Sequence, residues 1–262
     1  LKVPQPRPPQ ALSTDPDPGL WPEGYARIVL ETVDSTNAEA ARLAEDLLQP
    51  AWILAHRQTK ARGRRGAPWV MAPGNFAATL VMRPGGMPGW AALRSFLAAN
   101  ALFETLALHV DRTRLAQKWP NDVLLDGGKV AGILLESVGT GRLVDWLSIG
   151  IGVNLKTAPV IGDVAFPPVS LAEQAGTEVT PVQFLTELAG FYATEEAILE
   201  QLGFGQIRDR WLRNAARLGE VITARTSTAT YTGVFDGIDD AGQLVLLTET
   251  GPMAIPAADV FF

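Results

Sequence analysis

Cysteine is absent from the 262-residue chain, and histidine occurs only at positions 56 and 109. The first absence removes disulfides, thiolate metal sites and a thiol nucleophile, and it fits a reducing compartment. The second leaves too few imidazoles for a zinc enzyme or a His-centred triad, so no tightly bound structural metal is expected. Long apolar runs are also missing. None approaches the roughly 18 residues of a membrane span, and the start lacks the charged, apolar, small-residue order of a signal peptide. The expectation is therefore a cytoplasmic protein without a membrane partner. Positive charge is in deficit, with 22 Lys and Arg against 28 Asp and Glu for a net charge of -6. The molecule as a whole should not bind nucleic acid, and any basic cluster needs a local reason. No Gly-x-x-x-x-Gly-Lys-Ser/Thr phosphate loop occurs. Nor is there a zinc-finger, helix-turn-helix or RNA-recognition signature, or an internal repeat.

What remains is 47% apolar and 19% charged, in the range of globular proteins and long enough for a large domain with a small companion. Residues 1–24 carry seven prolines, too many for a helix or central strand, and read as an extended arm. Strands are predicted at 26–33, 51–56 and 76–82. A helix opening at Thr36 has apolar residues at 40, 43, 44, 47 and 48, and further helices are predicted over 90–108, 181–202 and 207–218. From Gly219 the pattern changes to short alternating runs separated by Asp239-Asp240-Ala241-Gly242 and Glu249-Thr250-Gly251-Pro252, spaced as in a small antiparallel barrel. This divides the chain into 25–216 and 217–262.

Four stretches carry chemistry. Gln117 to Glu136 reads as a hairpin, turning at Asp126-Gly127-Gly128. At its entrance stand Lys118, Asn121 and Asp122 on a support stiffened by Pro120, with Lys118 as an exposed strand-end ammonium. Lys129 and Glu136 add a second cation and carboxylate, and Gly132 allows close approach. The cluster suits an anionic ligand, with or without a metal; a solvated hairpin anchored by Trp119 reads equally well. Asp34-Ser35-Thr36-Asn37 precedes a helix, and Thr36 with Glu39 has the form of a capping box, yet four polar residues in a row also make a wall for a small ligand. Between Arg57 and Trp69 lie five cations and two glycines without apolar periodicity. Repulsion should keep this loop mobile until an anion neutralises it, and the glycines let backbone N–H groups turn inward; a solvated basic loop is the alternative. Finally, Gly150 and Gly152 face the same side of a strand, making room for a flat ligand or for a closely packed helix.

Together these stretches resemble the biotin protein ligases. Asp34 to Asn37 is similar to the family's Ser-Thr-Asn segment, and Gln58 to Gly66 to its Gln-x-x-Gly-Arg-Gly-Arg-Arg-Gly loop, with Ala61 replacing a glycine. Lys118 to Asp122 equals its Lys-Trp-Pro-Asn-Asp, Lys129 to Ile133 resembles Lys-Leu-Ala-Gly-Ile, and Gly150 to Asn154 resembles Gly-x-Gly-x-Asn. The resemblance implies an α+β fold, a mixed and mostly antiparallel sheet backed by helices as in class II aminoacyl-tRNA synthetases, with an SH3-like β-barrel at the C-terminus. It implies that biotin is activated with ATP and Mg²⁺ to biotinyl adenylate, then passed to a lysine of a biotin carboxyl carrier domain of acetyl-CoA carboxylase or a related carboxylase. Lys118 and Arg64 would be catalytic. Biotin would meet Ser35, Thr36, Asn37, Gln58, Arg62, Gly63, Gly132 and Gly152; ATP and the adenylate would meet Arg62, Arg64, Arg65, Trp69, Lys118, Asn121 and Asn154. The metal ligands stay open, with Asp122 the candidate. With only the Pro-rich arm before the catalytic part, the chain resembles the non-repressor members, without operator binding, as monomer or homodimer. A lipoate or octanoate ligase or transferase of the same superfamily is the alternative.

Overall fold

The structure, a computed structural model, describes residues 20–162 and 164–262, so most of the Pro-rich arm lies outside the described residues. In chain order the elements begin with β1 (Ala26–Val33), α1 (Thr36–Leu43), β2 (Ala51–Gln58), β3 (Phe76–Met82), α2 (Pro88–Ala92) and α3 (Arg94–Leu106). There follow β4 (Leu115–Lys118), β5 (Asp122–Leu125), β6 (Gly128–Val138), β7 (Trp146–Val153), α4 (Leu171–Ala175), α5 (Pro181–Leu202) and α6 (Phe204–Arg213). The chain ends in β8 (Val221–Arg225), β9 (Thr230–Ile238), β10 (Leu244–Thr248), β11 (Gly251–Ile255) and β12 (Asp259–Phe261).

A seven-stranded sheet runs in the order β1-β2-β3-β7-β6-β5-β4. Only β1 and β2 pair in parallel, because the helical crossover α1 lets the chain return in the same direction, whereas tight connections reverse it. Alternation within β2 shows how the sheet is sandwiched. Trp52 and Leu54 enter the core under α3, α5 and α6, while Ala51, Ile53 and Ala55 face the smaller cluster beneath α1. At the β5–β6 turn Asp126 and Gly127 have φ of 51° and 80°, the paired positive angles a two-residue hairpin asks for.

Three predicted helices have different bounds. The first stops at Leu43, leaving Leu48 exposed. The second is interrupted at Leu93 into α2 and α3. The helix predicted to reach 218 ends at Arg213, because the backbone beyond it is drawn to the free edge of β4: Gln117 N–H donates to Asn214 O at 2.7 Å, and Ala216 N–H to Gln117 O at 2.8 Å. Behind that edge lies a buried polar chain. Gln117 Nε2 donates to Asn100 Oδ1 (3.1 Å), Asn100 Nδ2 to Glu195 Oε2 (3.1 Å), and Arg210 pairs with Glu195 (2.7 Å). The strand that ends in Lys118 is thereby tied to α3, α5 and α6.

The last five strands form an antiparallel sheet ordered β11-β10-β9-β8-β12. It shares a continuous core with the helices. Trp211 meets Phe96 edge-on at 5.5 Å and Phe235 at 6.4 Å between ring centroids, and Trp119 Nε1 donates to Gly242 O at 3.2 Å. Among the described residues no helix is long and apolar enough to cross a membrane.

Candidate active site

Strand register lays the floor of the site. Ala77 lies opposite Gly152, Gly152 opposite Gly132, Gly132 opposite Asp122, and Asp122 opposite Lys118. Directly opposed residues share a face, and neighbouring strands are about 4.8 Å apart, so the row is a line about 19 Å long with two glycines in the middle. The space they leave is taken by an indole. A Cβ on Gly152 would fall 2.6 Å from Trp69 Cε2, and one on Gly132 would fall 3.5 Å from Trp69 and 3.3 Å from Lys129. The glycines therefore serve a close approach, made by the protein's own basic loop. Beside them opens a cavity of about 250 Å³, flat and apolar along the strands.

One end of the cavity is a polar wall built by the start of α1. The capping box predicted at Thr36 does not form: the N-cap is Ser35, without a side-chain cap bond, and Glu39 turns to Arg42 at 2.5 Å. The reason is tertiary. Gln58 Oε1 on β2 accepts the Thr36 N–H at 2.8 Å, satisfying a helix-start donor that a cap would otherwise serve. Asp34 accepts the Ser35 N–H (2.8 Å) and holds Arg42 (2.6 Å), and these hydrogen bonds keep its carboxyl well below the usual range. Thr36 and Asn37 are thus free to turn into the sheet, where the hydroxyl of Thr79 lies 2.8 Å from Thr36 Oγ1 and 2.7 Å from Asn37 Oδ1. Gly150 makes this fit, since a Cβ there would stand 2.2 Å from Asn37 Oδ1. Asn37 Nδ2 donates to Glu136 at 2.8 Å.

Cations line the other end. Arg62 forks onto Glu136 (2.9 Å), and Arg65, at φ 53°, pairs with Asp259 of β12 (2.6 Å). Arg64 donates to Asn121 Oδ1 at 3.3 Å and lies 3.9 Å from Asp259. Burial pushes its guanidinium down, Asp259 acts against that, and Arg65 adds to it. Lys129 pairs with Asp122 at 2.7 Å and sits 5.8 Å from the Trp69 ring. The sequence expectation of a loop kept mobile by unanswered repulsion needs correcting, because three of its arginines already have internal partners. The loop also closes on itself, through Gly63 N–H to Ala67 O (2.7 Å) and Trp69 N–H to Ala61 O (3.2 Å).

Of the residues singled out from sequence, Ser35, Thr36, Asn37, Gln58, Arg62, Gly63 and Arg64 line the cavity, as do Trp69, Asn121, Asp122, Gly132 and Gly152. Arg65 is not on the cavity lining but pairs with Asp259, which is. Asn154 is buried and donates to Val169 O at 3.1 Å while its backbone N–H bonds Val130 O, so it braces the segment that follows β7. Lys118 is not the exposed group expected from its strand-end position. It is 7% exposed, with Nζ 4.5 Å from the centre of the Phe166 ring. Burial pulls its pKa down, with Asp122 raising it and Lys129 lowering it further. Thr79 and Asp259 were missed. A threonine is an ordinary strand residue and carries no signal, and Asp259 is 194 positions from its partner Arg65. Among the described residues no cluster of three or more acidic or His side chains could hold a metal by itself.

The profile of the biotin/lipoate A/B protein ligase family matches residues 29–154, and that of the biotin protein ligase C-terminal domain matches residues 218–262. The chain is 54% identical to the biotin--[acetyl-CoA-carboxylase] ligase of Paracoccus denitrificans over 238 residues, covering 89% of this chain and 99% of the relative. It is 29% identical to the bifunctional ligase/repressor BirA of Bacillus subtilis, over 90% of this chain and 74% of that protein. Among solved structures, the biotin protein ligase of Aquifex aeolicus in complex with biotin and ATP shares the fold, with a TM-score of 0.74 at 23% identity over 89% of this chain and 97% of that one.

Proposed function

The chain belongs to the biotin protein ligase family, and on that premise we propose that it activates biotin with ATP and transfers the biotinyl group to a lysine of an acetyl-CoA carboxylase carrier domain. The near full-length kinship with a ligase of that name carries this reading, and the cavity agrees with its chemistry. In the first step the biotin carboxylate attacks the α-phosphorus of ATP and pyrophosphate leaves. In the second the carrier amine attacks the acyl carbon and AMP leaves.

Each residue has a task in that sequence. Ser35, Thr36, Asn37 and Gln58 hold the polar ureido head, and the apolar body lies against Trp69, which the Gly132–Gly152 floor seats. Arg62 and Arg64, which line the cavity, and Arg65 and Lys118, whose neighbours Asp259 and Asp122 line it, meet the carboxylate and the phosphoryl oxygens. Preorganised cations there stabilise charge as it develops, and a water-poor site strengthens them. Asn121 fixes Arg64, and Asn154 acts through the backbone at Val169 rather than by touching nucleotide. A Mg²⁺ ion bound with ATP would supply charge neutralisation on the phosphates, needing only one or two carboxylates besides substrate oxygens. Asp122 is the carboxylate on the row beside Lys118 and would have to exchange Lys129 for the ion. Residues 25–216 form the catalytic unit and 217–262 the cap that closes on its basic loop.

The test is pyrophosphate release with ATP and Mg²⁺, offered biotin, lipoate or octanoate in turn, followed by label transfer to a carrier domain. Biotin-dependent release with transfer supports the reading. Release with lipoate or octanoate alone would move the chain to the other branch of the superfamily, and no release with any acid would refute it.

A further inference from the structure

The polar wall depends on one side chain outside the cavity. Thr79 stands in the middle of β3, where Phe76, Ala77, Ala78, Leu80, Val81 and Met82 are all buried and apolar, and it is itself 0% exposed. Valine would fill the same space in the same strand without bringing a hydroxyl out of water. That hydroxyl touches two residues of the wall, Thr36 Oγ1 and Asn37 Oδ1, and cross-strand it faces Gly150, which leaves room for the contact.

Proton counting gives the arrangement a direction. Thr79 has one hydroxyl proton and two neighbours. Asn37 Oδ1 brings no proton of its own, so the Thr79 proton goes there. At 2.8 Å the same hydroxyl also faces Thr36 Oγ1 as donor, and the Thr36 proton goes on to Gln58 Oε1 at 3.2 Å. Two consequences follow at the cavity surface. Thr36 Oγ1, its proton committed to Gln58 and one lone pair to Thr79, offers its other lone pair outward. Gln58 Oε1 is held by the Thr36 N–H, so its Nε2, whose protein contact is a long 3.8 Å one to Met71 Sδ, is left to donate. Asn37 cannot flip its amide, because Oδ1 is taken by Thr79 and Nδ2 by Glu136.

We propose that Thr79 is a positioning residue for the biotin head: from beneath the wall it fixes the proton direction of Thr36 and the amide orientation of Asn37. A ureido ring presents one carbonyl oxygen and two N–H groups, so it is read by a wall whose donors and acceptors cannot exchange places. With Thr79 present the Thr36 hydroxyl is held as an acceptor and Gln58 Nε2 as a donor. Without it the donor beneath Thr36 Oγ1 is gone, so the Thr36 proton is free to leave Gln58 Oε1, 3.2 Å away, for the cavity, and the pattern is lost. An aliphatic acid without the ring would be indifferent to the change. The proposal rests on biotin being the substrate.

The experiment compares Thr79→Val, which keeps the shape and removes the hydroxyl, with Thr79→Ser, which keeps the hydroxyl and removes the methyl. Calorimetric biotin affinity and the KM values for biotin and ATP are measured on the full chain. Thr79→Val is expected to bind biotin about tenfold more weakly, the effect of one misdirected hydrogen bond, with the KM for ATP within about twofold of wild type. Thr79→Ser should retain wild-type biotin affinity within about twofold, being the conservative rescue. If Thr79→Val does not fold, Thr79→Ala against Thr79→Ser makes the same comparison. Undiminished biotin affinity without the hydroxyl overturns the proposal, as does equal loss in the hydroxyl-free and serine variants or a parallel rise in the KM for ATP, since each reports packing alone. A wild-type protein that binds no biotin would instead refute the family-based function, which keeps the two failures apart.

Discussion

Lys118 has a role set by its surroundings more than by its type. Sequence placed it beside Asn121 and Asp122 and read it as exposed, a reading blind to the Phe166 ring over its Nζ, 48 positions away. A buried ammonium lets go of its proton more readily, so its pKa lies below the ordinary lysine value of 10.5. Under the proposed function the charged form is the one that serves phosphoryl oxygens, so activity should fall as pH rises through that lowered value. Bound phosphates favour the ammonium and pull the pKa back up. The alkaline limb of kcat/KM, which reports free enzyme, should therefore lie at lower pH than the limb of kcat, which reports the complex. Lys118→Arg should remove the limb, since a guanidinium keeps its charge above pH ~12. Lys118→Ala should lose about 10²- to 10³-fold in adenylate formation, as when one oxyanion donor is removed. Coincident limbs, or a limb that survives in Lys118→Arg, would assign the titration to another group.

At the scale of elements, the period-two alternation of strands made much of the site legible. Gly150 and Gly152 were readable as sharing a face, and the hairpin at Asp126-Gly127 follows from turn chemistry alone. What fills the face was not readable, because register between β3, β7, β6, β5 and β4 is settled by pairing across distant segments. The capping box failed for the same kind of reason: a glutamine from β2 took over the Thr36 N–H. The row of small residues also predicts the outcome of adding one methyl. Gly152 has no backbone demand for glycine, yet its Cβ would meet Trp69 at 2.6 to 2.8 Å. Gly152→Ala should fold and should lift the indole from the floor, raising the KM for biotin by about tenfold if one good apolar contact is lost. The mechanism is checked by a cycle with Trp69→Ala. With the indole gone the methyl has nothing to displace, so the double variant should be no worse than Trp69→Ala alone, a departure from additivity expected only of touching side chains. Additive losses would show that the alanine acts elsewhere.

Across the whole molecule, the basic loop and the C-terminal sheet meet through Asp259, and this junction was the least legible part because no local pattern joins residues so far apart. Its energy is modest. Both partners in the Arg65–Asp259 pair are about half exposed, and such pairs contribute about 0.2 to 1 kcal/mol. That is enough to bias a loop whose other restraints are a few backbone hydrogen bonds, the contacts of Arg62 with Glu136 and of Arg64 with Asn121, and the seat of Trp69. In the ligand-free protein the carboxylate supplies the negative charge that phosphates supply in the complex, so it holds the loop's cations together while the site is empty. Asp259→Asn should therefore speed hydrogen exchange at the Gly63, Ala67 and Trp69 amides by about 1.4- to fivefold without ligand, the factor that energy corresponds to. Biotin with ATP should abolish the difference, because phosphates then take over as the counter-charge. Reversing the pair, Arg65→Asp with Asp259→Arg, should restore ligand-free protection while leaving ATP binding impaired, since a phosphate-facing cation has become an anion. Should exchange in Asp259→Asn match wild type without ligand, the loop is held by its other restraints alone, and the second sheet covers the site without steering it.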